Sequence, residues 1–79
     1  MDIEKAFGQI LKQERIKKAF SQEELAYLSD LDRTFISMLE RGKRQPSLKT
    51  IFVLTSALDI RPSQLLHDIE NLLSLQHKK

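Results

Sequence analysis

The sequence predicts an all-α protein of five helices, and three observations support that class. Its 79 residues include only two prolines and two glycines, with β-branched residues scattered, so the connections are short. Apolar residues recur at i, i+3 and i+4 in successive segments instead of alternating. Residues suited to helix caps stand ahead of several of those segments.

The first helix is expected from about Asp2 to Lys18, with Phe7, Ile10 and Leu11 facing inward. Ser21 with Glu24 three residues on forms a capping box. It opens a short second helix that carries Leu25, Ala26 and Leu28 and ends near Ser29. Asp32 suits the N-cap of a third helix, which ends at Gly42. "GKRQP" is a loop, and Ser47 caps a fourth helix, "LKTIFVLTSAL", whose Ile51, Leu54 and Leu58 share a face. "DIRP" breaks the chain again, and Pro62 suits the first turn of a fifth helix over about 62–77. With no internal repeat, low-complexity tract or linker, residues 1–79 read as one domain. A chain this short buries only about 60% of its extended surface, so its stability margin is thin and a partner subunit would help.

The net charge of +2 says little, but its distribution says more. Residues 19–32 hold four acidic groups and no basic one, whereas residues 33–49 set Arg33, Arg41, Lys43, Arg44 and Lys49 against Glu40 alone. Cysteine is absent, which removes disulfides, thiolate metal sites and Cys nucleophiles and suits a reducing cytosol. Met1 leads straight into "DIEKAFGQILKQERIKK" with no signal peptide, and no apolar run approaches the ~20 residues of a bilayer span. A soluble cytoplasmic protein is expected. An enzyme lacks its parts here: His67 and His77 lie far apart in a late segment, Tyr27 is the single tyrosine, and no glycine-rich phosphate loop occurs. No clustering of His with carboxylates suggests a metal, and neither cofactor nor small-molecule ligand is indicated.

The stretch "LDRTFISMLERGKRQPS" carries the functional signal. On a helical wheel, Asp32, Phe35, Ile36 and Leu39 fall on one side, and Arg33, Thr34, Ser37, Met38 and Arg41 on the other. Two short helices joined by a tight turn can lay the second helix in a DNA major groove while the first crosses the phosphate backbone. Ala26 supplies the small residue that a steep crossing needs, and Leu25, Leu31, Ile36 and Leu39 supply the apolar lock.

"SQEELAYLSDLDRTFISMLERGKRQPS" resembles the phage-repressor-like (XRE-type) helix-turn-helix family, and the match runs from Phe7 through "ALDI". Within that family, "LDRTFISMLERGKRQPSL" is most similar to the controller proteins of restriction–modification systems. The resemblance implies a five-helix phage-repressor-like DNA-binding domain, with the helix-turn-helix at helices 2 and 3. Two residues depart from the pattern: Ala19 and Asp30 stand where glycine is common. Asp tolerates a left-handed conformation fairly well, whereas Ala19 leaves the end of helix one in doubt.

Arg33 and Thr34, at the start of helix three, are the expected base readers, with Ser37 and Met38 one turn along. Arg33 can present two parallel donors to guanine O6 and N7. Phe35, at the edge of the wheel, fits core packing better than DNA contact, although the family's equivalent aromatic can lie against DNA. Arg41, Lys43, Arg44 and Lys49 suit phosphates. Gln22 matches a family position that binds phosphate at the start of helix two. Arg15 and Glu40 match a structural ion pair of the family.

In the fifth helix, Leu65, Leu66, Ile69, Leu72 and Leu73 form a stripe longer than one core requires, so it is expected to serve a homodimer, as in related controllers. The reading is a homodimeric, sequence-specific transcription regulator on double-stranded DNA with an inverted-repeat operator. RNA polymerase would be a further partner of an activator. A phage-type repressor, a toxin–antitoxin repressor and a protein-interaction module on the same fold stay open as alternatives.

Overall fold

The computed structural model describes residues 1–77; Lys78 and Lys79, counted in the charge above, lie outside the described residues. The chain forms α1 (Ile3–Lys17), α2 (Gln22–Ser29), α3 (Arg33–Glu40), α4 (Leu48–Leu58) and α5 (Pro62–His77). No strand occurs among the described residues. α1 packs on α3 and α5, α2 on α3 and α4, and α4 on α5.

Each helix start has a local cause. Asp2 accepts the Lys5 N–H at 2.8 Å. The capping box at α2 is closed in both directions: Ser21 Oγ accepts from the Glu24 N–H at 3.0 Å, and Glu24 Oε1 accepts from the Ser21 N–H at 2.8 Å. Ser47 accepts the Thr50 N–H at 3.1 Å. Asp32 is the exception. It occupies the N-cap of α3 but makes no side-chain cap bond, and it is exposed, not turned inward as the helical wheel had it.

The helix ends share one device. Ala19, Asp30, Gly42 and Asp59 each follow a helix with φ between 56° and 71°. In each case two backbone N–H groups turn back onto the last carbonyls, as Ala19 to Ile16 at 2.9 Å and Phe20 to Arg15 at 3.1 Å. This is the Schellman closure. The residue after three of these positions is apolar and packed on the core: Phe20, Leu31 and Ile60. Ala19 thus ends α1 cleanly, in a left-handed conformation that glycine would adopt without strain. Only the α3 closure uses glycine, and it ends that helix at Glu40, two residues before Gly42.

The core is built from Ala6, Phe7, Ile10 and Leu11 of α1, Leu25 and Ala26 of α2, Ile36 and Leu39 of α3, Leu54 and Leu58 of α4, and Leu65 and Ile69 of α5. Leu28, grouped with the α2 apolar set from sequence, is half exposed. Gly8 lets α1 and α3 approach closely: a Cβ there would lie 2.3 Å from the Leu39 carbonyl oxygen. Sequence reading gave Gly8 no role, because only the tertiary crossing reveals it.

An ion pair ties α1 to the end of α3. Arg15 Nε and Nη2 donate to the two Glu40 carboxylate oxygens at 2.6 and 3.0 Å, and Nη1 donates to the Phe20 carbonyl at 2.8 Å. The side chains are only 11% and 3% exposed. The bond to Glu40 pushes the Arg15 guanidinium above its ordinary value, against a smaller opposing effect of burial. A raised basic group contributes stability that is lost only as pH rises past its folded pKa, so the pair persists across the neutral range.

Two outcomes are expected in thermal unfolding. Ala19→Gly should relieve roughly 1–2 kcal/mol of left-handed strain against roughly 0.5–1 kcal/mol of extra unfolded-state entropy. A net gain of about 0.5–1 kcal/mol would raise the Tm by about 2–8 °C; a fall would mean that Ala19 carries no strain. Glu40→Ala, which strands the Arg15 charge, should cost about 3–5 kcal/mol, and Arg15→Met with Glu40→Leu together should recover part of it.

Candidate nucleic-acid interface

α3 is fixed from beneath by Ile36 and Leu39, both fully buried, so its opposite side faces out. Arg33 and Thr34 lie exposed on its first turn. Ser37 and Met38 are partly buried, and their backbone carbonyls are engaged by the following turn. The Lys43 N–H donates to the Met38 carbonyl at 2.9 Å, and Arg41 Nε donates to the Ser37 carbonyl at 3.3 Å. Phe35 is half-buried against the core, and the Arg44 guanidinium stands 5.5 Å above its ring. The aromatic therefore has a third use, placing a cation, which sequence reading missed.

The positive charges are unspent. Among the described residues the ion pairs are Arg15–Glu40 and Lys17–Glu14. Arg33, Arg41, Lys43, Arg44 and Lys49 are exposed and unpaired there. Gly42 draws their loop against the start of α1, where an added Cβ would come within 2.8 Å of the Lys5 side chain. Exposed Lys5 thereby joins the basic rim. Nothing in the sequence could have shown this, since some 37 residues separate it from the loop. Lys49 lines a groove with Ser29, Asp30 and Leu31, beside the α2–α3 turn.

Gln22 sits at the first position of α2, and its side chain is already engaged. Its amide nitrogen donates to Glu40 Oε1 at 3.0 Å, and its oxygen accepts from Arg33 Nη1 at 3.4 Å. The capping box occupies the N–H groups of Ser21 and Glu24, leaving those of Gln22 and Glu23 without a partner among the described residues. These are the α2 donors available to an anion.

The α5 stripe divides. Leu65 and Ile69, expected at a dimer interface, belong to the core of this single chain and are 0% and 6% exposed. Helical spacing gives a face, and here its inner edge is already filled by α1 and α4. Leu66 is half exposed, Leu72 and Leu73 are partly buried, and Leu75 is largely exposed. Leu48 and Phe52, one turn apart on α4, are also exposed and were not read from the sequence as interface candidates. Among the described residues no metal-holding cluster of acidic or histidine side chains occurs, and no helix is long and apolar enough to cross a membrane.

Residues 11–65 match the helix-turn-helix family model HTH_3. The control protein C.BamHI of Bacillus amyloliquefaciens is 43% identical over 74 residues, covering 92% of this chain and 90% of that protein. The crystal structure of the restriction–modification controller protein C.AhdI from Aeromonas hydrophila superposes with a TM-score of 0.76 at 49% identity, over 77% of this chain and 92% of that one. A variant of the controller protein C.Esp1396I superposes with a TM-score of 0.88 at 29% identity, over 99% and 98% of the two chains. The residues that lock α2 onto α3, the basic turn after α3 and this similarity converge, and the chain belongs to the helix-turn-helix family of transcriptional regulators, alongside the restriction–modification controller proteins.

Proposed function

We propose that this regulator is a controller of a restriction–modification system, acting in the cytoplasm as a homodimer on an inverted-repeat operator. The observation that carries the reading is the exposed Arg33–Thr34 turn flanked by unpaired Arg41, Lys43 and Arg44. That layout separates two tasks. Arg33 reads a guanine edge and Thr34 a neighbouring base or thymine methyl, with Ser37 and Met38 at the margin. Arg41, Lys43, Arg44, Lys49 and the free N–H groups of α2 hold phosphates and fix the register. As an activator the protein would also meet RNA polymerase. In this reading protein concentration, acting through dimerisation, is the signal.

The partner copy covers Leu66, Leu72 and Leu73 of α5 together with exposed apolar residues of α4, Phe52 among them. Two-fold symmetry then sets the half-site centres about 10–11 base pairs apart. Sedimentation at micromolar concentrations should give the mass of a dimer; a monomer at every accessible concentration would remove the symmetric operator from the model.

Selection of bound sequences from random duplexes should recover a palindrome. Arg33→Ala should relax one position per half-site, at a discrimination cost of roughly 1–3 kcal/mol. Lys43→Ala should weaken all sequences alike and lower the slope of log affinity against log salt by about 1. If neither protein enriches any sequence, base reading by Arg33 is wrong and the fold serves another partner.

A further inference from the structure

The first turn of α1 lies against the basic loop by backbone contact, not by the reach of a side chain. Gly42, at φ 71°, is so close that a Cβ added to it would stand 2.8 Å from Lys5 Cγ, 3.1 Å from Lys5 Cα and 3.3 Å from Lys5 N. One turn further along α1, Gly8 meets the Leu39 and Glu40 carbonyl oxygens in the same way. The first two turns of α1 therefore run beside the end of α3, and Lys5 is the residue level with the loop. Its backbone is fixed, because Asp2 holds its N–H and the Ala6 and Phe7 that follow it are buried. Its ammonium, at the end of a flexible stem, is exposed and has no ion pair among the described residues.

A lysine that merely decorates a helix is stabilised by an acid three or four residues away. Lys5 has Gly8 and Gln9 ahead of it at those positions, and Asp2, three residues before it, accepts the Lys5 N–H instead. The other acids of α1 are also withdrawn from the rim. Glu14 pairs with Lys17 in the groove between α1 and α5, and Glu4 is half-buried. Lys5 thus adds an unspent charge beside Arg41, Lys43 and Arg44. Four like charges gathered on one rim repel one another and do nothing for the fold unless an anion comes between them. We propose that Lys5 holds a DNA phosphate next to those taken by the loop, so that the nucleic-acid interface extends from the helix-turn-helix onto the first turn of α1. Gly42 brings these two distant segments of chain to one row of phosphates. A phosphate can be met by a point charge as well as by a planar fork, and lysine supplies the point charge. Lys5 therefore adds affinity and salt dependence at every sequence and reads none. This rests on the reading of the loop as phosphate-binding.

The test measures affinity for the selected operator over a range of salt concentrations. The proteins are the wild type, Lys5→Gln, Lys5→Arg, Lys43→Ala and Arg61→Gln, each first shown folded by its unfolding transition. Lys5→Gln removes the charge, and Lys5→Arg keeps it. Arg61 is exposed past the end of α4 remote from the loop, so Arg61→Gln makes the same change in net charge outside the rim. In Lys5→Gln the slope of log affinity against log salt should become shallower by about 1 per subunit. Lys5→Arg and Arg61→Gln should keep the wild-type slope, and base preferences should be the same in all. Operators carrying a single uncharged methylphosphonate then locate the contact. One position per half-site should weaken the wild type several-fold and leave Lys5→Gln unaffected, and it should differ from any position to which Lys43→Ala becomes insensitive. An unchanged slope in Lys5→Gln, an equal change in Arg61→Gln, or the lack of any such phosphate would leave Lys5 a plain surface charge and overturn the proposal. Altered base preference in Lys5→Gln would make it a base contact and overturn it as well. If Lys43→Ala also keeps the wild-type slope, the loop reading falls and the proposal with it. If Lys5→Gln alone keeps it, the loop reading stands and only the extension onto α1 is lost.

Discussion

The buried contact between Arg15 and Glu40 is the constraint around which the other parts are arranged. A carboxylate and a guanidinium withdrawn from water cost more than their mutual attraction returns unless nearly every donor and acceptor is used. Here the Arg15 nitrogens find Glu40 and the Phe20 carbonyl, and Glu40 also takes the Gln22 amide. Those partners come from α1, the α1–α2 turn, α2 and α3. The pair can be satisfied only when all four segments stand in their native relation. An apolar core is tolerant of small slips, since Leu and Ile pack in more than one way. A two-point guanidinium–carboxylate contact is not, and it makes the pose of α3 against α1 a single solution.

Close approach makes that pose possible. Gly8 admits the last carbonyls of α3 to within contact of α1, which brings Glu40 to the level of Arg15. The four Schellman closures then turn the chain sharply enough for eight-residue helices to cross. Three of those closures are built on Ala19, Asp30 and Asp59, not glycine, so some conformational strain is carried by the turns. Core-packed Phe20, Leu31 and Ile60 offset it. A domain of this length has little stability to spare, and its turns are held by the apolar residue behind each one.

What was legible in the sequence was local. Ser21 with Glu24, Ser47 ahead of its apolar stripe and Pro62 at a helix start act within one turn of chain, so their residue types alone announce them. The inward set Phe7, Ile10, Leu11, Ile36, Leu39, Leu54 and Leu58 followed from spacing. The family pattern added the Arg15–Glu40 pair, which lies 25 residues apart and has no local signature. Other features were settled only by tertiary structure. Gly8 looks like a weak point in a helix until α3 crosses it. Periodicity placed Leu65 and Ile69 on the same stripe as Leu66 and Leu72, but which rows are covered depends on where α1 and α4 lie. The lodging of Arg44 over Phe35 and the approach of Lys5 to the basic loop depend on how that loop folds back.

Arg15 and Arg33 show how differently neighbours can leave the same residue type. They carry the same group and stand at opposite ends of one hydrogen-bonded path. At Arg15 all three nitrogens have acceptors within the protein, and burial excludes any other partner, so the group is structural. At Arg33 one nitrogen leans on Gln22 by a long bond, and the rest face solvent on the first turn of α3. The difference lies in unspent donors, and it is made by the neighbours. Glu40 engages one arginine directly and is linked to the other only through a neutral amide. A carboxylate in direct contact with Arg33 would have held it more firmly but would have opposed the approach of polyanionic DNA. Under the proposed reading, a guanidinium that keeps its charge and its free donors could meet both a phosphate field and a base edge.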